Sequence, residues 1–248
     1  MRAVLSWIGT ALFLPLFGAI LVVFDVAQRV ARLFGQRPQE YVAGALQVAL
    51  VLAFRLCGTR LVVERAAGFR PHTSYVVISN HQSMFDIALI GALLFWNFPK
   101  YISKRELGRW IPSVSYNLRR GGHVLIDRGD APGAVAAIRG LGARLRDGVS
   151  AVIFPEGTRA RRGELGAFRR SGTVALLEAA PDVPVVALTI DESWRLFARN
   201  MLPVPWGVRV RVHIGEPMQR RPGEDADAVL ARARDEMATT LARWRERG

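Results

Sequence analysis

The sequence predicts an α/β fold: a mixed, largely parallel sheet flanked by helices, preceded by an N-terminal hydrophobic two-helix membrane segment. Three observations predict it. Short apolar runs at residues 75–79, 123–126 and 150–154 have strand length and no regular polar alternation, so they read as buried strands. Helical patterns alternate with these runs, the order that lays helices on both faces of a sheet. Ahead of them, residues 3–24 form 22 consecutive positions without a charge.

That first stretch is long enough to cross a bilayer, which takes about 20 apolar residues. Pro15 is expected to interrupt and kink it. Asp25, Gln28, Arg29, Arg32 and Arg37 follow, and a second uncharged stretch at 41–54 closes with Arg55. A cleaved signal peptide fits poorly, because the apolar region is long and no small-x-small site follows it. Two pictures remain open. The first stretch spans the membrane with the arginines on the cytoplasmic side, or both stretches form a hairpin dipping into one leaflet with the arginines at the headgroups. A helix pair of a soluble core fits worst, given Trp7, Phe13, Phe17 and Phe24 among the uncharged residues. The expected division is 1–56 as a membrane anchor and 57–248 as a catalytic domain, held at the cytoplasmic face of the cell membrane.

Composition agrees with a charged surface as partner. Lys and Arg number 34 against 21 Asp and Glu, a net charge of +13. Such a balance points to nucleic acid, anionic lipid or a phosphorylated substrate. The single cysteine, Cys57, excludes an internal disulfide and cannot build a thiolate metal site alone.

Along the second part, 61–64 reads as a short strand and 65–74 as a loop with Gly68 and Pro71. The strand at 75–79 hands over to a helix at 87–98. A strand at 101–103 leads into a helix opening at Lys104-Arg105-Glu106-Leu107 and broken by Pro112. Gly121-Gly122 breaks the chain before the strand at 123–126, which ends in Asp127-Arg128. A helix at 132–147 has Pro132 in its first turn and Gly148 past its end. The strand at 150–154 runs into Pro155-Glu156-Gly157. A helix at 169–180 and a strand at 183–190, with Pro184 at its start, follow. Val208, Val210, Val212 and Ile214 alternate with Arg209, Arg211 and His213, predicting a strand with one solvated face at a sheet edge. Residues 225–247 form an amphipathic helix with Leu230, Met237, Leu241 and Trp244 on one side.

Two stretches carry the chemistry. In Asn80-His81-Gln82-Ser83-Met84-Phe85-Asp86 the acid lies five residues after the histidine. On one continuous helix the two would point about 140° apart, at about 3.6 residues per turn. With His81 in the turn and Asp86 in the first helical turn they can meet. The carboxylate then fixes the imidazole tautomer and leaves the other ring nitrogen as a base. The plainer alternative is a histidine that caps or packs beside a first-turn acid suited to the helix dipole. The second stretch, Phe154-Pro155-Glu156-Gly157-Thr158-Arg159, shifts the balance.

With both in hand, the chain resembles the glycerolipid acyltransferases, typified by 1-acyl-sn-glycerol-3-phosphate acyltransferase. Four blocks of that family appear in order over about residues 60 to 215. Asn80, His81 and Asp86 match an Asn-His-x4-Asp block. Val124 to Arg128 match a hydrophobic strand ending in Asp-Arg. Phe154 to Arg159 match a Phe-Pro-Glu-Gly-Thr-Arg block letter for letter, and Val183-Pro184-Val185 match a Val-Pro-Val strand. A basic segment between the first two blocks is matched at Ser103 to Leu107. The chain departs from the family pattern at Ala187, where a second proline is usual, and at Phe168-Arg169-Arg170-Ser171-Gly172.

The resemblance implies acyl transfer from acyl-CoA or acyl-carrier protein to the free hydroxyl of lysophosphatidic acid. No separate cofactor is needed. A hydroxyl needs a base during attack, and His81, oriented by Asp86, is the candidate. There is no Gly-x-Ser-x-Gly, and Ser83 is too near His81 in sequence to make a good covalent nucleophile. Lys104, Arg128 and Arg159 are candidates to hold the phosphate, arginine offering a fork that matches its oxygens. Glu156, Gly157 and Thr158 shape the same pocket. Whether Glu156 holds an arginine or the acceptor hydroxyl stays open. Alternatives are the same chemistry on another lysolipid, or a non-catalytic basic protein gripping membrane or nucleic acid. No nucleic-acid fold signature is present. His72, His123 and His213 lack metal-ligand spacing, so no metal is expected.

Overall fold

The chain opens with two long helices, α1 (Arg2–Leu33) and α2 (Gln36–Ala53), folded back on each other at Phe34-Gly35. The computed structural model describes residues 1–127, 129–160, 162–221 and 223–246. After the hairpin come β1 (Arg60–Arg65), β2 (Val76–Ser79), α3 (Phe85–Leu93), β3 (Lys100–Lys104), α4 (Val114–Arg120) and β4 (Val124–Ile126). They are followed by α5 (Ala131–Gly142), β5 (Ala151–Ile153), α6 (Arg170–Ala179), β6 (Val185–Asp191), β7 (Arg209–Ile214) and α7 (Ala226–Glu246).

The described strands form one sheet in the order β1-β7-β6-β2-β5-β3-β4. Only the β6–β7 pair is antiparallel. Five strands therefore run the same way, and β6, β2, β5, β3 and β4 all deliver their carboxyl ends to one edge. Successive side chains point to opposite faces. Val76, Ile78, Ala151, Ile153, Val185 and Ala187 pack with residues of α5, α6 and α7 such as Leu141, Leu176 and Met237. Val77, Val152, Val186 and Leu188 pack instead with Phe13, Phe54, Phe85 and Leu89. Helices cover both faces, so β2, β5 and β6 are buried along their whole length.

The hairpin belongs to that second layer. The Phe13 ring is fully buried 4.4 Å from Phe54, which lies 4.6 Å from Phe85 at the start of α3. Polar ties reinforce the packing. The Val204 N–H donates to Thr10 Oγ1 at 2.9 Å, and the Ser113 N–H donates to Asp25 Oδ1 at 2.6 Å. Lys100 Nζ meets Glu40 Oε1 at 2.6 Å, with both side chains buried. Elsewhere on α1, Val4, Trp7, Ile8, Leu12, Val22, Val23, Val26 and Val30 are exposed. By length and composition both helices can cross a membrane.

Several boundaries differ from expectation. α1 continues through Pro15: one lost hydrogen bond costs about 3 kcal/mol, which the rest of a long helix absorbs. The helix expected at 87–98 ends at Leu93, with a short turn after it. Phe98 precedes Pro99, which disfavours the helical region, and it takes φ +40°. The segment after Lys104 is one 3₁₀ turn, and helix resumes only past Pro112. α5 stops at Gly142 rather than 147; Gly140 and Gly142 weaken its last turn. β7 does not lie at the edge, because β1 pairs outside it in parallel. Its polar face is partly solvated, as the alternation predicts: Arg209 is exposed and Arg211 and His213 are half-buried, with Arg211 donating to the Trp244 carbonyl at 2.8 Å and Glu64 of β1 accepting from Arg243 and Trp244. The alternation reports a face shared between water and α7.

His123 accepts the Tyr101 N–H at Nδ1 (3.0 Å) and stacks on that ring. Burial, with a smaller effect from Lys100, lowers it from the ordinary 6.5 to about 3. The unfolded chain then binds a proton that the folded chain refuses, so stability present above pH 6.5 is lost as pH falls toward 3. The unfolding midpoint of the wild type should drop through this window, and His123→Gln, which keeps an acceptor without the charge, should flatten that slope. Denaturant titrations at a series of pH values check this.

Candidate active site

β2 ends at Ser79, and the next residues form a short turn before α3. Asn80 closes the strand by acting as a side-chain substitute for a strand partner. Its Nδ2 donates to the Ile190 carbonyl at 2.8 Å, and its Oδ1 accepts the Ile190 N–H at 2.7 Å. The ends of β2 and β6 are thereby held in register, and His81 is the first residue beyond them.

His81 and Asp86 meet as the spacing requires. Nδ1 lies 2.9 Å from Asp86 Oδ2. The same oxygen accepts the N–H groups of Gln82 (2.6 Å) and Ser83 (2.8 Å), while Oδ1 accepts the hydroxyls of Ser83 (3.1 Å) and Ser193 (2.5 Å). Asp86 is completely buried, and every partner is a donor, the environment a carboxylate anion needs. With Nδ1–H donating to that anion, Nε2 is the ring nitrogen able to take a proton. The imidazole is also stacked on Phe154, centroids 4.2 Å apart and planes 23° apart. Ser83, engaged with the carboxylate, is a brace rather than a free hydroxyl.

The segment after β5 wraps this couple. Glu156 is buried; its Oε1 accepts the His81 N–H at 2.8 Å and its Oε2 accepts the Gly166 N–H at 2.9 Å. Burial raises its carboxyl above the usual range, partly offset by those two backbone donors. The Ala160 N–H donates to the His81 carbonyl at 2.7 Å. Both backbone groups of His81 are therefore held by residues 156–160. Gly157 takes φ +66°, a conformation that favours glycine, and a Cβ there would press on the Arg169 side chain at 3.1 Å.

Thr158 and Arg159 are exposed just past this turn, and Lys104 is exposed at the end of β3. All three sit at the edge where the parallel strands end. Arg128 lies outside the described residues. Among those described, no three His, Cys, Asp or Glu side chains are grouped to hold a metal.

Residues 60–191, more than half of the chain, match the family model described as Acyltransferase. The chain belongs to the acyltransferase family. The 1-acyl-sn-glycerol-3-phosphate acyltransferase alpha of Homo sapiens is 30% identical over 198 residues, 79% of this chain and 69% of that protein. The chloroplastic 1-acyl-sn-glycerol-3-phosphate acyltransferase LPAT1 of Arabidopsis thaliana is 31% identical over 170 residues, 68% of this chain and 45% of that one. That of Cocos nucifera is 32% identical over 143 residues, 56% of this chain. The chain spans about half the length of these plant relatives, at 45% of each. The crystal structure of the 1-acyl-sn-glycerophosphate (LPA) acyltransferase PlsC from Thermotoga maritima superposes with a TM-score of 0.80 at 20% identity, covering 99% of this chain and 98% of that one. The two share a fold.

In this acyltransferase-family chain, three contributors to the site are not among the candidates named from the sequence. Ser193 arrives from the end of β6, Phe154 supplies the stacking face, and Arg169 lies across Gly157. Phe154 opens the matched block and Arg169 lies in the segment that departs from the family pattern, which was the available signal; nothing local marks Ser193. Glu156→Gln should destabilise the fold by about 1–3 kcal/mol, because an amide NH₂ would replace one acceptor and face a buried N–H donor. Denaturant unfolding measures this, and Glu156→Asp, too short to bridge His81 and Gly166, should shift the midpoint the same way.

Proposed function

We propose that this chain transfers an acyl group from acyl-CoA or acyl-carrier protein to the free hydroxyl of 1-acyl-glycerol-3-phosphate, giving phosphatidic acid. The observation that carries the reading is the His81–Asp86 couple, 2.9 Å apart at the carboxyl edge of the sheet, with its Nε2 left for a substrate proton. His81 Nε2 removes the hydroxyl proton as the oxygen attacks the thioester carbonyl. The C–O bond forms, the C–S bond breaks, and the imidazolium returns its proton to the leaving sulfur. Asp86, held by its own donors, stabilises the imidazolium without moving. Such positioned acid–base help contributes about 10²–10⁴-fold.

The acceptor's phosphate requires cations at the same edge. Arg159 follows the turn that clamps His81, and Lys104 ends a neighbouring parallel strand. These two, with Arg128 and the backbone of Gly157 and Thr158, are the proposed phosphate-binding set. Glu156 serves this reading by holding His81 in place. The exposed apolar residues of α1 and the surplus of arginine support an anchor at residues 1–56 and chemistry at residues 57–248, at the cytoplasmic face of the cell membrane. A purely binding function would leave an oriented imidazole with no work to perform.

The test is acyl transfer to lysophosphatidic acid in membranes. His81→Ala should lower the rate by about 10²-fold or more; equal activity would remove the base assignment. In the same assay Arg159→Ala should raise the KM for lysophosphatidic acid and lower kcat, while the KM for the acyl donor holds, because a lost phosphate contact loosens and misplaces the acceptor. An unchanged acceptor KM would move the phosphate elsewhere.

A further inference from the structure

We propose that Ser193 is a positioning residue of this site, fixing the plane of the Asp86 carboxylate and through it the direction of the His81 ring. The inference rests on the acyl-transfer reading of His81 and Asp86 and adds to it a third member contributed by a distant part of the chain.

Ser193 lies 107 residues beyond Asp86, yet its Oγ is 2.5 Å from Oδ1. The residue is completely buried. Its place is set by what precedes it. β6 ends at Asp191; Glu192 then turns the chain in the left-handed region at φ +69°, and Ser193 opens a short 3₁₀ turn. Three residues upstream, Ile190 exchanges two hydrogen bonds with Asn80, the neighbour of His81. The hydroxyl is therefore carried by a strand end locked to the histidine's own strand.

The two carboxylate oxygens are not supported alike. Oδ2 receives three donors, all from residues 81–83 of the same turn. Oδ1 receives Ser83 Oγ at 3.1 Å and Ser193 Oγ at 2.5 Å. Ser83 Oγ also accepts the Phe85 N–H at 3.2 Å and moves with the turn it belongs to. Ser193 is thus the short contact, and it comes from outside the turn. Rotation about the bond joining the carboxylate to its side chain would carry Oδ1 off Ser193 and Oδ2 off Nδ1 together. Holding one oxygen from a second strand opposes that rotation. A carboxylate that turns would leave the imidazole misdirected, and small misplacements at a reacting centre are costly in rate.

The experiment compares wild type, Ser193→Ala, Ser193→Thr and His81→Ala for acyl transfer to lysophosphatidic acid, with unfolding midpoints measured on each. Ser193→Ala should lower kcat about tenfold while both KM values stay within about twofold, since the hydroxyl is fully buried, with Asp86 Oδ1 at 2.5 Å and Gln82 Oε1 at 3.5 Å as its partners. Ser193→Thr, which keeps a hydroxyl on Cβ, should recover most of that loss. Unchanged kcat in Ser193→Ala would overturn the proposal, as would a rise in KM that accounts for the whole loss. A Thr variant as slow as the Ala variant at an undisturbed midpoint would also overturn it. If Thr does not fold, Ser193→Cys serves: its weak donor should give a kcat between wild type and Ala, and a kcat equal to wild type would overturn the proposal. Full activity in His81→Ala would bring down the reading of the site and this proposal with it. An inactive His81→Ala beside an unimpaired Ser193→Ala would bring down this proposal alone.

Discussion

A buried carboxylate must be compensated where it sits, and Asp86 is compensated from two directions. The turn at residues 81–83 and the end of β6 both point donors at it. Taking such a group out of water without partners costs far more than one hydrogen bond returns. The local order of the turn, the entry into α3 and the register of β2 against β6 are therefore bound to a single anion. His81 inherits its position from this arrangement. Its ring is steadied by the carboxylate and by Phe154, and its backbone is held from the other side by Glu156 and Ala160. The two matched blocks are one physical unit, each completing hydrogen bonds that the other leaves open.

The sheet order makes this meeting unavoidable. β2 lies between β5 and β6, all three parallel, so the segments after them emerge side by side. Ligands of open α/β sheets collect at such carboxyl ends. Lys104 and Arg159 reach the same edge from β3 and β5. A basic edge beside an oriented imidazole is what a phosphorylated acceptor would need.

What could be seen in the sequence was local. The strands at 75–79 and 150–154 were legible because burial on both faces leaves a continuous apolar run, and the His81–Asp86 meeting followed from a spacing of five across a strand-to-helix turn. Residue patterns do not state which strand lies beside which. β7 was expected at the edge because its polar residues alternate, yet β1 pairs beyond it and Arg211 is tied to α7. Ser193 was invisible for the same reason: β6 carries it to a partner more than a hundred residues away in the chain. Glu156 was recognised, but its task was not, since both of its partners are main-chain groups that no side-chain pattern records. The end at Gly142 moved because glycine sets a limit that apolar periodicity does not show, and beyond Leu93 the apolar run continues only as a 3₁₀ turn before Phe98 and Pro99.

The hairpin and the catalytic layer share aromatic contacts, and only Gly58 and Thr59 separate the turn that follows α2 from the first strand. Phe54 touches the ring of Phe85, whose chain neighbour is Asp86. No slack therefore exists between the greasy helices and the acid that steadies the imidazole. A tilted and then an edge-on ring contact carry this path from Phe13 to Phe85, so shrinking Phe54 would loosen the hairpin and the start of α3 together.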